Sequence, residues 1–186
     1  MPNIPVIQPE EATGELKTIY DNLLEKRGQI AEVHKIQSLR PESIVKHMDL
    51  YMEIMFAKSD LSRSQREMMA VVVSAENKCA YCVKHHGSAL NKYWKNDEKV
   101  DQLSDDFSVL NLSAIDQQLC KLALNLTADP SSDKCQNINR RLLKSGLSDA
   151  AFLDATLVIA YFNFVNRIVL NHQVELEEDE GENYKY

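Results

Sequence analysis

Residues 62–90 read SRSQREMMAVVVSAENKCAYCVKHHGSAL, and this stretch decides the fold. Ser62 followed three residues later by Gln65 is the pattern of a capping box, in which each side chain satisfies a backbone N–H that the first helical turn leaves open. It opens a helix over about 62–75 whose end, AVVVS, is apolar on every side, the mark of deep burial. AVVV alone has the composition of a strand, but it lies between a capped start and a helical continuation. The polar triplet Glu76-Asn77-Lys78 then breaks the pattern, and a second helix runs over about 79–94. Two helices joined by so short a break pack as an antiparallel hairpin. The hairpin midpoint falls between Glu76 and Asn77. Glu67 lies nine and a half residues before it and His86 nine and a half after, so the two share one level.

The same reading extends outward in both directions. After a Pro-punctuated extended segment 1–9, Leu16, Ile19, Tyr20, Leu23 and Leu24 recur at helical spacing and mark a helix over about 10–26, ended near Gly28. Pro41 opens another over about 41–58, with Ile44, Val45, Met48, Tyr51, Met52, Met55 and Phe56 as its apolar positions. Leu103 to Leu112 reads as loop. Ser113 with Asp116 caps a helix to about 127, stopped by Asp129-Pro130; a further helix covers about 132–144, and Ser148 caps the longest, to about 172. Strand patterning is weak throughout, and five Gly and five Pro in 186 residues are too few for a turn-rich β protein. The expectation is an all-α, single-domain helical bundle over 1–174, followed by an acidic, flexible tail over 175–186.

Charge narrows the function. The net charge is −7, of which −5 sits in residues 175–186, where six carboxylates face only Lys185. A nearly neutral body with an acidic tail lacks the basic face that nucleic-acid binding requires. The start carries no basic region with an apolar run, and the richest segment, 150–165, is interrupted by Asp154 and Asn163. Neither export nor a membrane partner is expected, and the cytoplasm is the expected location. Four cysteines are too few for a disulfide scaffold, and in a reducing compartment a close pair points to catalysis or metal binding.

Cys79 and Cys82 form that pair. Both would fall in the first turn of a helix, where open backbone N–H groups favour an anion, so either thiol could be acidified. The dipole alone favours Cys79. His86, four residues after Cys82 and on the same face, favours Cys82, because a positioned base is the more specific device. Glu67, brought level by the hairpin, can orient His86 or relay its proton. His85 points about 100° away from that face. Blander readings stand beside these. A C-x-x-C can be half of a structural zinc site, although no second such motif supplies the remaining ligands. Glu67 can simply pair on the surface with Arg63, one turn earlier. Cys120 reads as a small core residue and Cys135, in a polar stretch, as an exposed thiol. Asn163, Asn166 and Arg167 interrupt the most apolar helix and could line a site or a subunit contact. Met48, Met52, Met55, Met68 and Met69 are core or interface filler.

Glu67, eleven residues, Cys79-x-x-Cys82, three residues and His86 is a pattern that resembles the alkyl hydroperoxidase D branch of the carboxymuconolactone decarboxylase superfamily. Within it, LSRSQREMMAVVVSAENKCAYCVKHHGSAL and the YFNFVNRI run at 161–168 look most like the peroxidase-related branch. The resemblance spans roughly residues 10–175. It implies an all-helical fold that assembles into homo-oligomers and a thiol peroxidase that uses no metal, haem or flavin. It implies that Cys82 attacks the peroxide, Cys79 resolves it, and Glu67 and His86 relay the proton. The family motif has a second His between the cysteines; this chain has Tyr81 there, which makes Tyr81 and His85 secondary site candidates.

The expected function is therefore reduction of hydrogen peroxide or an organic hydroperoxide, with an external dithiol or thiol protein as reductant and no cofactor. Two alternatives remain at this stage: a disulfide-exchange protein that reduces a partner peroxidase, and a zinc-stabilised or oligomeric interaction module without enzymatic activity.

Overall fold

Several helix boundaries in the structure, a computed structural model that describes residues 1–178, coincide with a local cause in the sequence. Helix α1 spans Gly14–Arg27 and ends on Gly28, whose φ of 82° is a left-handed conformation that costs glycine nothing. A single turn, α2, covers Glu32–Lys35, and α3 covers Pro41–Phe56. Helix α4 spans Arg63–Glu76 behind the full Ser62–Gln65 capping box. Helix α5 spans Ala80–Trp94 and α6 Asp97–Asp106, followed by a 3-10 turn at Phe107–Val109. Helix α7 spans Ala114–Ala128 behind Ser113, α8 spans Asp133–Lys144, and α9 spans Asp149–Asn171 with Ser148 accepting from the Ala151 N–H. Among the described residues there is no strand, and the fold is all-α.

Two stretches differ from the sequence reading. The expected loop from Leu103 to Leu112 is largely helical: α6 runs to Asp106 and the 3-10 turn follows it. Its apolar content is sparse, with only Val100 and Leu103 buried, so periodicity gave little signal. The signal lay instead in Asn96, whose side chain accepts from the Lys99 N–H, and in Asp97 and Glu98 in the first turn. Helix α9 is long and apolar enough, by length and composition, to cross a membrane, which the Asp154 and Asn163 interruptions had argued against. Ala151, Ala155, Val158, Ile159, Phe162 and Val165 on it are buried, the pattern of a core helix.

The chain divides into two compact units, residues 1–53 with 167 onward, and residues 54–166. In the first, Ala12, Leu16, Tyr20, Leu23, Ile30 and Ile44 form the apolar cluster, and the Tyr20 hydroxyl donates to the Ile7 carbonyl at 3.0 Å. The described start of the acidic tail belongs to this unit: Glu175 pairs with the Met1 amino group and Glu177 accepts from the Glu32 N–H at 2.8 Å. These are the first residues of the expected acidic tail; residues 179–186 lie outside the described residues. The second unit is organised around α4, which packs against α5, α6 and α7, with α8 against α7. Met55, Met68 and Met69 are buried, whereas Met52 of the first unit is largely exposed.

Candidate active site

The site is built on the α4–α5 hairpin. Three residues, 77–79, turn the chain between the helices. Lys78 adopts φ 57°, a left-handed conformation that is strained for a residue with a Cβ, and the Cys79 N–H reaches back to the Ser74 carbonyl at 2.8 Å. The turn delivers Cys79 to the N-cap of α5 and Cys82 to its third helical residue. Both sulfurs are enclosed: Cys79 is 0% and Cys82 2% exposed.

The hairpin brings Glu67 and His86 into contact, with His86 Nδ1 2.7 Å from Glu67 Oε2. Glu67 is completely buried on α4. Its other oxygen, Oε1, accepts from Arg63 Nε at 2.8 Å and Nη2 at 2.5 Å. The pairing with Arg63 therefore exists, but inside the protein and together with the pairing to His86. Arg63 is itself held over the Phe56 ring at 3.6 Å and donates to the Met55 carbonyl. Burial raises the Glu67 carboxyl, yet the attraction and hydrogen bonds of His86 and Arg63 outweigh it, and the net shift is downward. An ionised carboxylate only accepts hydrogen bonds, so His86 Nδ1 is the donor to Oε2 and Nε2 is the ring nitrogen turned away from Glu67. Phe162 meets the imidazole edge-on at 4.4 Å and fixes its plane.

The sulfurs are hydrogen-bonded to each other. Hydrogen bonding from the Cys82 side chain holds the Cys79 thiol below the ordinary thiol range; burial opposes this and the Cys82 backbone N–H adds to it. Cys79 does not close a full cap on the first turn, so the side chain is the principal partner. Cys82 is pushed well up by its hydrogen bond to Cys79, by burial and by repulsion from Cys79, with a hydrogen bond from Asn166 pulling the other way. The spacing of His86 predicts that Cys82 is the more acidic thiol; its surroundings in the structure raise it and lower Cys79. The bonds of His86 go to Glu67 and Phe162 and those of Cys82 to Cys79 and Asn166, so a shared helix face did not become a sulfur–imidazole bond.

The secondary candidates Tyr81 and His85 are both buried and stack on one another at 4.5 Å. Cys120 is buried and its thiol is raised by that burial. Cys135 is also buried, which corrects its reading as an exposed thiol: it is an inward position of a strongly amphipathic α8, beside Ile138 and Leu142. No group of three or more His, Cys, Asp or Glu side chains that could hold a metal ion occurs among the described residues. The sequence reading missed the Phe56 and Phe162 contacts, because aromatic residues in apolar helices carry no mark of which side chain they will touch.

Comparison with known proteins agrees with this architecture. Residues 44–106, which contain Glu67, both cysteines and His86, match the carboxymuconolactone decarboxylase family. The fold matches that of an uncharacterized peroxidase-related protein from Silicibacter sp. TM1040 with a TM-score of 0.83, at 24% identity over 98% of this chain and 97% of that one. It also matches an uncharacterized peroxidase-related protein with an alkylhydroperoxidase AhpD core from Ralstonia eutropha JMP134 with a TM-score of 0.84, at 21% identity over 96% and 94%. The debrominase Bmp8 has the same fold, with a TM-score of 0.77 at 17% identity over 96% and 94%. The chain therefore has the all-α fold of these structures, and its segment 44–106 is similar to the carboxymuconolactone decarboxylase family.

Proposed function

We propose that the protein is a thiol-dependent peroxidase that reduces hydrogen peroxide or small organic hydroperoxides through Cys79 and Cys82. The observation that carries this reading is the buried Arg63–Glu67–His86 array in the same hairpin as a hydrogen-bonded pair of sulfurs. The pair loses one proton, which is relayed to His86 one turn along α5. For Cys82 to attack, as the family resemblance implies, its remaining proton crosses the S–H···S bond to Cys79. The Cys82 thiolate then breaks the O–O bond and forms a sulfenic acid, and imidazolium His86 protonates the leaving oxygen to give an alcohol or water. Cys79 condenses with the sulfenic acid, releasing water and forming the disulfide. An external dithiol restores the pair by exchange and is itself oxidised to a disulfide. Neither a metal nor an organic cofactor enters this sequence, and a reducing cytoplasm suits it.

Enclosure of both sulfurs favours a small hydroperoxide over a partner protein's disulfide as oxidant, and so ranks the peroxidase reading above disulfide exchange. The same enclosure requires the first turn of α5 to open before a protein thiol can reach the disulfide. Stopped-flow mixing of reduced protein with hydrogen peroxide or a small alkyl hydroperoxide tests the proposal. The expected result is rapid, stoichiometric loss of two thiols. Oxidation no faster than that of a free thiol would contradict it. Metal analysis of freshly purified protein separates both redox readings from a zinc-stabilised module.

A further inference from the structure

Asn166 is hydrogen-bonded to the Cys82 sulfur, and its amide is linked to Ser74, Asn77 and, through Asn77, Asn163. Their hydrogen bonds fix the direction of every amide among them. Asn163 Nδ2 donates to the Ile159 carbonyl at 3.0 Å and to Thr127 Oγ1 at 2.9 Å. A backbone carbonyl can only accept, so the Asn163 amide has one possible orientation, with Oδ1 toward Asn77. Asn77 Nδ2 donates to that oxygen at 3.0 Å and to Asn166 Oδ1 at 2.9 Å. Asn166 therefore turns its Nδ2 the other way, toward Ser74 Oγ at 3.2 Å and toward the sulfur of Cys82. Asn166 is wholly buried, and an amide so placed meets no water that could exchange for these partners.

We propose that Asn166 is a positioning residue of the sulfur pair: its amide, oriented from the Ile159 carbonyl through Asn163 and Asn77, presents an N–H to Cys82 and supports the negative charge that this sulfur takes up in attack and again as a leaving group. The proposal rests on the reading of the cysteine pair as the reactive group. It explains how charge can move to Cys82 although the start of α5 favours Cys79. When the shared proton crosses to Cys79, the fixed N–H is already aimed at the sulfur that becomes anionic, with no reorganisation of the site. A structural role alone, filling the α4–α9 contact with satisfied amides, would leave the ionisation of Cys82 unchanged.

The test isolates Cys82 in a Cys79→Ser protein and follows its thiolate absorbance and its alkylation by iodoacetamide against pH. Asn166→Asp keeps the shape and replaces the donor by an acceptor. The ionisation constant of Cys82 is expected to fall by about tenfold or more, as for the loss of one charge-assisted hydrogen bond. Asn77→Ala supplies a second arm that leaves the buried Asn166 side chain in place. Asn77 lies half-buried at the end of α4, and its loss frees the Asn166 amide without touching the sulfur; a smaller fall in the same direction, about threefold, is expected. A Cys82 titration unchanged by Asn77→Ala overturns the proposal. Neither titration uses a peroxide, so an unshifted curve would leave the peroxidase reading standing, and a protein inert to peroxide would leave these curves informative.

Discussion

Glu67→Gln probes the relay most sharply, because it keeps the shape of the side chain and changes what its two terminal atoms can do. In the native site Oε1 accepts from Arg63 and Oε2 from His86 Nδ1. A glutamine has one acceptor and one donor. The guanidinium offers only donors, so the carbonyl oxygen must face Arg63 and the NH2 must face His86. His86 Nδ1 then becomes the acceptor, its proton moves to Nε2, and the nitrogen that served as base is blocked. Loss of a positioned general base costs about 10² to 10⁴ in rate, and weakening the charged hydrogen bonds costs about 1.5–3 kcal/mol of stability. Single-turnover oxidation by peroxide, read beside urea unfolding, separates the two effects. A folded Glu67→Gln protein with the wild-type peroxide rate and the wild-type thiol titration would refute the relay.

Other outcomes follow from the same structure. Ser at both Cys120 and Cys135 should leave the peroxide rate within about tenfold, or about 1.4 kcal/mol of barrier, because both are buried core residues remote in sequence from the pair; a larger loss in a folded protein would show a missed site residue. His47 is buried, accepts from Gln37 through Nδ1, and has its pKa lowered by burial from 6.5 to about 4. Below about pH 6.5 the unfolded chain takes up this proton and the folded one does not, so stability should fall from pH 6.5 to 4 by up to about 3 kcal/mol; urea titrations at several pH values should show this slope, and His47→Gln should flatten it. Leu153, Leu157 and Phe164 form an exposed apolar stripe along α9, so light scattering should find a particle heavier than the 21.2 kDa chain; a monomer at micromolar concentration would contradict self-association.

Much of the fold was legible because its signals are local. Ser62 with Gln65, Ser113, Ser148 and Gly28 each act on the backbone beside them, and the helices begin and end there. Helix α6 was missed because it is charged on most sides and shows only two buried residues to a periodicity argument. The Glu67–His86 contact was readable because a three-residue turn makes register a matter of counting. The environment of each thiol was not. It depends on where each S–H points and on an amide chain from α9 that approaches Cys82 from 84 residues away in sequence. Cys135 was misplaced for a related reason: its neighbours Lys134, Gln136 and Asn137 are polar, while the residues that share its helix face, Ile138 and Leu142, are one and two turns on.

The central claim is that Cys79 and Cys82 together reduce a peroxide, and an intact-mass measurement before and after one equivalent of hydrogen peroxide tests it most directly. The reduced protein should carry four free thiols, in keeping with its four cysteines. After peroxide it should lose two hydrogens, with peptide mapping placing the new disulfide between Cys79 and Cys82 and leaving Cys120 and Cys135 as thiols. An unchanged mass, or oxidation that spares the pair and falls on another residue, would contradict the account.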